Sequence, residues 1–213
     1  MKCAEATNQH RKSGGAPTIA FGSNPMIDST FAHAWQAEVL AARPLILPGR
    51  QFVYPAQVEE VERGALEVMI RPPNSSGQFL ATCALGFAGS GVPTGVWACP
   101  EPAWICIAAG GYAYLIDTLD PARWEQVEYR PVTEIRALAE QDLLLFSSFH
   151  SLLAWGREGK AWQTGRLSWD GVRITAVCGA TLVGLGWEMR TDRELEFEVD
   201  LQTGEHKGGA YLP

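Results

Sequence analysis

The histidines are the first residues to consider, because an imidazole titrates near neutral pH and can bind a metal. The chain has four: His10, His33, His150 and His206. No two of them stand four residues apart, as helical zinc ligands would, and there is no His-Glu-x-x-His motif. The sequence therefore predicts no metal site. It leaves His150 as the first candidate for an acid–base role, the alternative being a turn histidine without a role.

Motifs for nucleophilic and phosphate chemistry are also missing from the sequence. The nearest approach to a Gly-x-Ser-x-Gly elbow is GFAGSGVPTG, in which Ser90 stands between two glycines as it would in a loop. A phosphate loop of the form Gly-x4-Gly-Lys-Ser/Thr does not occur. Catalytic residues therefore stay unassigned, and no cofactor is expected.

Three glutamates alternate along one predicted strand. Glu194, Glu196 and Glu198 lie two residues apart, so their side chains share a strand face. Such a row is typical of a solvated outer face, and a cation-binding strip is the alternative. Arg190 and Arg193 stand close enough in sequence to neutralise the row, which favours the solvated face.

Charge and composition exclude several classes of function. The 213 residues include 17 Lys+Arg and 24 Asp+Glu, giving a net charge of −7. This balance argues against nucleic acid or an anionic membrane as partner. The sequence has neither a membrane-spanning apolar stretch nor a secretory signal, which predicts a cytoplasmic protein. Four of its five cysteines lie in apolar runs, so we expect reduced thiols that pack as small hydrophobic side chains.

The elements that would position these residues recur along the chain. The recurring feature is a short apolar run, found at Leu66–Arg71, Trp104–Ala109, Leu143–Ser148 and Leu182–Trp187. The starts of these runs are separated by 38, 39 and 39 residues. An extended segment precedes each run, and a second apolar strand and turn residues follow it. The pattern predicts an all-β fold of four antiparallel four-stranded repeats, near 57–94, 95–131, 132–170 and 171–210.

Units of four strands at this period resemble the blades of a β-propeller. The resemblance covers residues 57–210 and includes the hairpin VDLQTGE at Val199–Glu205. The Gly-His and Trp-Asp pairs of the best-known propeller repeat are missing, since Trp169-Asp170 falls in a loop. The resemblance implies a small propeller-like array without a known activity. A β-sandwich or barrel is the alternative fold.

The segments before the first repeat carry three further predictions. We expect the apolar segment 38–57 to close the array by lying alongside the C-terminal unit. Residues 28–42 are predicted to form a short helix capped by Asp28 or Ser29. Residues 1–25 are predicted to be a poorly ordered tail, which leaves 26–213 as a single all-β domain.

The tryptophans divide into core and surface candidates. Trp104 and Trp187 lie in predicted inner strands and are expected in the core. Trp124 and Trp162 begin predicted fourth strands, where they would pack between sheets. Two others, Trp155 and Trp169, are the candidates for exposed anchors, although burial is the favoured interpretation for both.

The predicted topology gathers one set of loops on a single face of the array. The loop residues with charge or aromatic character on that face are Arg71, Asn74, Arg130, His150, Trp169, Asp170, Glu188, Arg190, Asp192 and Arg193. The opposite face carries only hairpin tips. Loops on a rigid scaffold are where binding residues concentrate. Our candidates for binding a ligand or partner are therefore Arg71, His150, Trp169, Asp170, Arg190, Asp192 and Arg193.

The sequence favours a non-catalytic binding or scaffold module that presents this charged loop face. Its partner would be a protein or a small polar molecule. The alternative is an enzyme acting on a small polar or sugar-like substrate, with His150 meeting Asp170 or Asp192. A third interpretation is a homo-oligomer subunit whose open sheet edges are covered by a partner copy.

Overall fold

A computed structural model describes residues 26–56, 64–73, 77–86 and 91–210. The fold is all-β, as predicted: about 53% of these residues lie in strands, arranged in four sheets. Within the described ranges the helical content is a single 3-10 turn at Ala139–Gln141. No helix among them is long and apolar enough to cross a membrane. Residues 1–25 and Asn74 lie outside the described residues.

We number the sheets 1 to 4 in the order in which they stack. Sheet 1 has the strand order β2 (Gln36–Leu40), β4 (Ala65–Arg71), β5 (Phe79–Ala84) and β3 (Gln51–Tyr54). Sheet 2 has the order β1 (Met26–Asp28), β6 (Gly95–Ala98), β7 (Trp104–Ala109), β8 (Tyr112–Asp117) and β9 (Trp124–Gln126). Sheet 3 consists of β10 (Glu134–Leu138), β11 (Leu143–Ser147), β12 (Leu152–Gly156) and β13 (Gly159–Gln163). Sheet 4 consists of β14 (Val172–Cys178), β15 (Thr181–Glu188), β16 (Arg193–Asp200) and β17 (His206–Gly208).

Strands β6–β9, β10–β13 and β14–β17 each form an antiparallel meander in chain order. Tight turns allow this arrangement. Between β7 and β8, Gly110 and Gly111 have φ of 57° and 86°, in the left-handed region that a two-residue hairpin turn requires and that glycine adopts without strain.

The segment 38–57 does not lie alongside the C-terminal unit, so that prediction is wrong. Strand β2 pairs antiparallel with β4, and β3 pairs parallel with β5. The β4–β5 hairpin offers two open edges, and these two strands occupy them. The edge of β16 in sheet 4 is already occupied by β17.

The short helix predicted over residues 28–42 is also absent. Ala37 and Val39 pack against the core while Glu38, between them, is exposed. This period of two fits a strand, and it outweighs the helix propensity of the alanines. Asp28 accepts a hydrogen bond from the Thr30 N–H (2.9 Å), which makes a local turn and not a helix cap.

The sheets stack in the order 1–2–3–4 through aromatic contacts. Tyr54 of sheet 1 lies 5.4 Å from Trp124 of sheet 2, measured between ring centroids. Trp104 of sheet 2 lies 6.0 Å from Trp155 of sheet 3. The Trp162 indole N–H of sheet 3 donates to the Leu201 carbonyl, just beyond β16 (2.8 Å). Sheets 2 and 3 are therefore covered on both faces, which explains why their central strands are apolar at almost every residue.

Trp124 and Trp162 lie between sheets as expected, and one other tryptophan prediction is wrong. Trp155 is 5% exposed, which agrees with the favoured interpretation and excludes it as a surface anchor, because sheets 2 and 3 close over its ring. Trp187 lies on the outer face of sheet 4, where no further sheet covers it, and is only half-buried.

Three cysteines pack as small hydrophobic side chains, as expected. Cys83, Cys99 and Cys106 are free thiols with no exposed surface. The expectation of reduced thiols fails for Cys178, which is disulfide-bonded.

A double-mutant cycle tests the position of β3. Tyr54 and Trp124 make an edge contact and Tyr54 donates a buried hydrogen bond to the Pro121 carbonyl (2.8 Å). Replacing Tyr54 by Leu and Trp124 by Leu, singly and together, should show a coupling of about 0.5–1.5 kcal/mol in urea unfolding. The same cycle between Tyr54 and Phe197 of sheet 4 should show no coupling energy. A coupling found only between Tyr54 and Phe197 would mean that β3 lies against the C-terminal unit.

Candidate functional site

Three loops of sheets 3 and 4 meet at one end of the stack. They are residues 148–151 between β11 and β12, 164–171 between β13 and β14, and 189–192 between β15 and β16, and we call them the 3–4 loop end. The middle loop joins the other two through backbone hydrogen bonds. The Leu167 N–H donates to the His150 carbonyl (2.7 Å), and the Trp169 N–H donates to the Trp187 carbonyl (3.0 Å).

Ser168 is the buried centre of the 3–4 loop end. Its hydroxyl oxygen accepts from the backbone N–H groups of Trp187 (2.9 Å) and Asp170 (3.2 Å), and its proton goes to the Gly171 carbonyl (2.9 Å). The side chain is fully buried. These bonds hold the loop in one conformation, because a buried polar group that loses its partner is costly.

Arg166 orders the exposed side of the same loop. Its guanidinium stacks on Trp169 at 4.5 Å from the ring centroid, and it donates to the backbone carbonyls of Ser168 (3.0 Å) and Trp169 (3.2 Å). It also reaches Nδ1 of His150 at 3.4 Å. A guanidinium can only donate, so this contact assigns the acceptor role to Nδ1 of His150.

The turn between β15 and β16 is ordered by two carboxylates. Glu188 accepts from the Thr191 hydroxyl (2.6 Å) and from the N–H groups of Arg190 (3.1 Å) and Thr191 (2.8 Å). The Thr191 hydroxyl bond makes the largest contribution to lowering the pKa of Glu188 below its usual value. Asp192 accepts from the Trp187 indole N–H (2.9 Å).

Apolar side chains project from this ordered end into solvent. Phe149 is 42% exposed and Met189 is 54% exposed. Trp169 lies half-exposed on the loop between them. Neither Phe149 nor Met189 was among the site residues predicted from the sequence. The signal available in the sequence was that each is an apolar residue in a turn with polar residues on both sides, which indicates an exposed side chain.

The structure brings together some of the predicted site residues and separates others. His150, Trp169, Asp170, Arg190, Asp192 and Arg193 all belong to the 3–4 loop end or the strand that leaves it. Two others belong to different sheets. Arg71 bonds Gln36 and Gln78 in sheet 1, and Arg130 bonds Gln126 and faces the Tyr112 ring in sheet 2.

The acid row of β16 lies on the exposed outer face of sheet 4, as its alternation predicts. Glu194 pairs with Arg173 of β14 at 2.6 Å, and not with the sequence neighbours Arg190 or Arg193. Across the described ranges, no group of three or more His, Cys, Asp or Glu side chains is arranged to hold a metal ion.

Two open clefts lie at the opposite end of the stack, where the sequence suggested only hairpin tips. A cleft of about 580 Å³ separates sheets 2 and 3 and is lined by Trp104, Trp155 and charged side chains. A cleft of about 570 Å³ separates sheets 3 and 4 beside Trp162 and Leu201. Sequence reasoning missed both, because a space between sheets depends on how far apart their ends diverge.

Both arginines of the first cleft are already paired. Arg123 binds Asp117 (3.0 Å) and lies 5.8 Å from the Trp104 ring centroid. Arg157 binds Asp142 (3.1 Å), and this bond raises the pKa of Arg157 above its usual value. Three further carboxylates line the cleft without an ion pair to any described residue: Glu101, Glu125 and Glu158.

Comparisons with known proteins assign no family. No family model matches the chain, and no curated protein is similar to it in sequence. Among solved structures, the chain is similar to "Kuenenia stuttgartiensis Hydrazine Synthase" at 12% identity and a TM-score of 0.26. That similarity covers 53% of this chain and 48% of the other, so this chain spans about half the length of that structure.

Proposed function

We propose that this chain is a non-catalytic binding module, an array of propeller-like sheets that presents the 3–4 loop end to a protein partner. The packing of three four-stranded sheets and one five-stranded sheet in the order 1–2–3–4 supports the propeller-like interpretation. The position of the loops supports the binding interpretation, because loops held on a rigid scaffold are where proteins place recognition residues.

The observation that carries this proposal is the exposure of Phe149 and Met189 on the two loops that the Trp169 loop joins through backbone hydrogen bonds. Large apolar side chains grouped on a surface mark interaction sites in soluble proteins. Aromatic residues, methionine and arginine are also the types enriched at protein interfaces. The bonds around Ser168 hold this surface in place before a partner arrives, which reduces the ordering cost of binding.

The charges at the 3–4 loop end define the kind of partner. Glu188 and Asp192 are occupied by bonds within the turn, whereas Arg190 and Arg193 are exposed. A peptide segment that places an aromatic or aliphatic side chain next to acidic residues would complement this surface.

Selection from a random peptide library displayed on phage tests the proposal. Peptides that bind the native chain should carry apolar residues beside acids. Replacing Phe149 by Ser and Met189 by Ser should weaken their binding at least tenfold, because the central apolar contacts carry most of an interface's affinity. The matched control is Leu119→Ser. Leu119 is an exposed apolar residue that follows β8 of sheet 2, at the end of the stack opposite the 3–4 loop end. The proposal would be contradicted if the selected peptides bound the Leu119→Ser control more weakly and bound the Phe149→Ser, Met189→Ser variant as tightly as the native chain.

Replacing Arg190 and Arg193 together by alanine should weaken the same peptides several-fold and leave the melting temperature within a degree or two. Exposed rim charges mainly change association rates and add little to stability. The measurement is peptide titration at low and high salt, alongside thermal unfolding. A large drop in melting temperature would make these arginines structural and remove them from the site.

The alternative of an enzyme at the loop end has less support. The His150 ring contacts Arg166 and Asp192 accepts from Trp187, and among the described residues no hydrogen bond joins His150 to Asp170 or Asp192. The cleft between sheets 2 and 3 is a better candidate site for a small polar ligand than the 3–4 loop end. Its carboxylates without an ion pair to any described residue lie beside indole rings, which favours an organic cation as the ligand. L-arginine amide should then raise the melting temperature, whereas methyl glucoside should not.

A further inference from the structure

Sheets 1 and 4, at the two ends of the stack, each have an outer face with exposed or half-buried apolar side chains. Within the stack, a neighbouring sheet covers such side chains. On sheet 1, the segment 41–50 connects β2 to β3 and crosses the outer face, where Arg43 reaches Glu67 of β4 (3.4 Å). Leu45 and Ile46, at the middle of this crossing, are 104% and 90% exposed. Two adjacent aliphatic side chains left in water cost free energy in proportion to their apolar area.

The outer face of sheet 4 has a different composition. Val183, Leu185 and Trp187 form a half-buried apolar row along β15. The glutamates of β16 lie directly beside this row, since Glu198, Glu196 and Glu194 pair in register with those three residues. Sheet 4 therefore presents an apolar strip with an acidic border.

The charges of the two ends are complementary. The crossing AARPLILPGR contains two arginines, Arg43 and Arg50, and no acid, and Arg43 is already paired with Glu67 of its own chain. On sheet 4, Arg173 pairs with Glu194, and Lys207 of β17 lies opposite Glu198 in register. Among the described residues, Glu196 is the glutamate of the row that has neither an ion pair nor a basic residue opposite it on β17. An aliphatic, basic segment thus matches an aliphatic, acidic strip.

We infer that the outer face of sheet 4 binds the 41–50 crossing of a second copy of this chain. Two copies make the contact twice, sheet 4 of each against sheet 1 of the other, and their eight sheets close into one ring. A two-fold axis relates the two contacts, so the dimer interface as a whole is isologous, and closure after two copies stops further growth. The inference depends on the sheet stack and not on what the 3–4 loop end binds.

The size of the faces is sufficient for a stable dimer. Four strands about 4.8 Å apart, each about 20 Å long, present roughly 400 Å² per face. One contact then buries about 800 Å² counted over both partners, and two contacts bury about 1,600 Å², the usual size of a specific protein interface.

Sedimentation velocity of the full chain tests the inference with one variant at each end. Leu45→Ser with Ile46→Ser changes the sheet 1 end, and Glu196→Lys with Glu198→Lys changes the sheet 4 end. All four positions are exposed, so both variants should keep the native far-UV spectrum and a cooperative melting transition. Their melting temperature should be lower than that of the unmodified chain, because the dimer no longer stabilises the fold. We expect the unmodified chain to sediment as a dimer and each variant as a monomer. Phe149→Ser, at the loop end, should leave the dimer intact.

Mixing the two variants distinguishes this head-to-tail contact from other dimers. Each variant keeps one intact end, so a mixture can form a single contact between sheet 4 of one variant and the crossing of the other. Mixed dimers should therefore appear, with weaker affinity than the unmodified chain. A monomeric unmodified chain, dimers of either variant alone, assemblies beyond the dimer, or a mixture that stays monomeric would each overturn the inference. None of these outcomes depends on peptide binding at the 3–4 loop end.

Discussion

Replacing Trp162 by alanine is expected to lower the free energy of unfolding by about 3–5 kcal/mol, the usual cost of removing a buried tryptophan. Trp162 is 7% exposed and packs in the apolar cluster between sheets 3 and 4. Its indole N–H also satisfies the buried Leu201 carbonyl (2.8 Å). Alanine would leave both a cavity and an unsatisfied carbonyl. Urea unfolding followed by circular dichroism measures the loss.

Two companion substitutions separate the causes of this loss. Trp162→Phe keeps much of the packing and removes only the hydrogen bond, so we expect a loss of about 1–3 kcal/mol. Trp169→Ala removes a half-exposed indole of similar size at the loop end and should cost less than Trp162→Ala. Equal losses for Trp162→Ala and Trp169→Ala would show that Trp162 does not join sheets 3 and 4.

Raising the pH to 10 is expected to lower the free energy of unfolding by a few kcal/mol, because three buried thiols resist ionisation in the folded state. Burial is the largest cause that raises the pKa of Cys83, Cys99 and Cys106 well above the ordinary value of 9.0. In the unfolded chain these thiols ionise near pH 9, which stabilises that state alone. Each one contributes on the order of 1 kcal/mol at pH 10.

The sign of this effect follows from the direction of the shifts. A group whose folded pKa is raised supports stability fully below its unfolded pKa, and the support is lost as the pH rises above that value. Stability should therefore be flat near pH 7 and fall above pH 9. Burial also raises the pKa of Tyr129, to about 12, which steepens the fall above pH 10.

Urea midpoints measured between pH 7 and 10 test this prediction. A variant with alanine at Cys83, Cys99 and Cys106 will be less stable at pH 7, since buried sulfurs are removed, but its stability should depend much less on pH. A native chain whose midpoint does not change up to pH 10 would mean that the thiols ionise inside the fold.

The strands themselves could be predicted from sequence because their signals are local. Apolar runs without alternation are typical of strands buried on both faces, which fits β7 and β11 but not β15, whose outer side is only half-buried. The alternation of β16 identified its exposed side. The prediction of antiparallel neighbours in chain order also needed only short turns. Each of these inferences uses residues within about ten positions of one another.

The candidate site was predicted only in part. The predicted topology placed His150, Trp169 and Asp192 at one end of neighbouring sheets, because alternate loops of an antiparallel meander lie at the same end of the strands. It did not predict that Arg166 would reach His150, or that Ser168 would anchor the loop, because these contacts depend on side-chain directions in a connecting segment without periodicity. The exposure of Phe149 and Met189 likewise depends on what packs nearby.

The amino-acid sequence alone determined the all-β class, the position of most strands and the apolar character of the buried cysteines, because local pattern is sufficient for these. Tertiary structure decided which edges β2 and β3 would occupy, since any apolar strand can pair with any open edge and only the assembled core selects among them. It also decided that Trp155 is buried while Leu45 and Ile46 stay in water. Burial is a property of the space between elements, and residues far apart in the chain form that space.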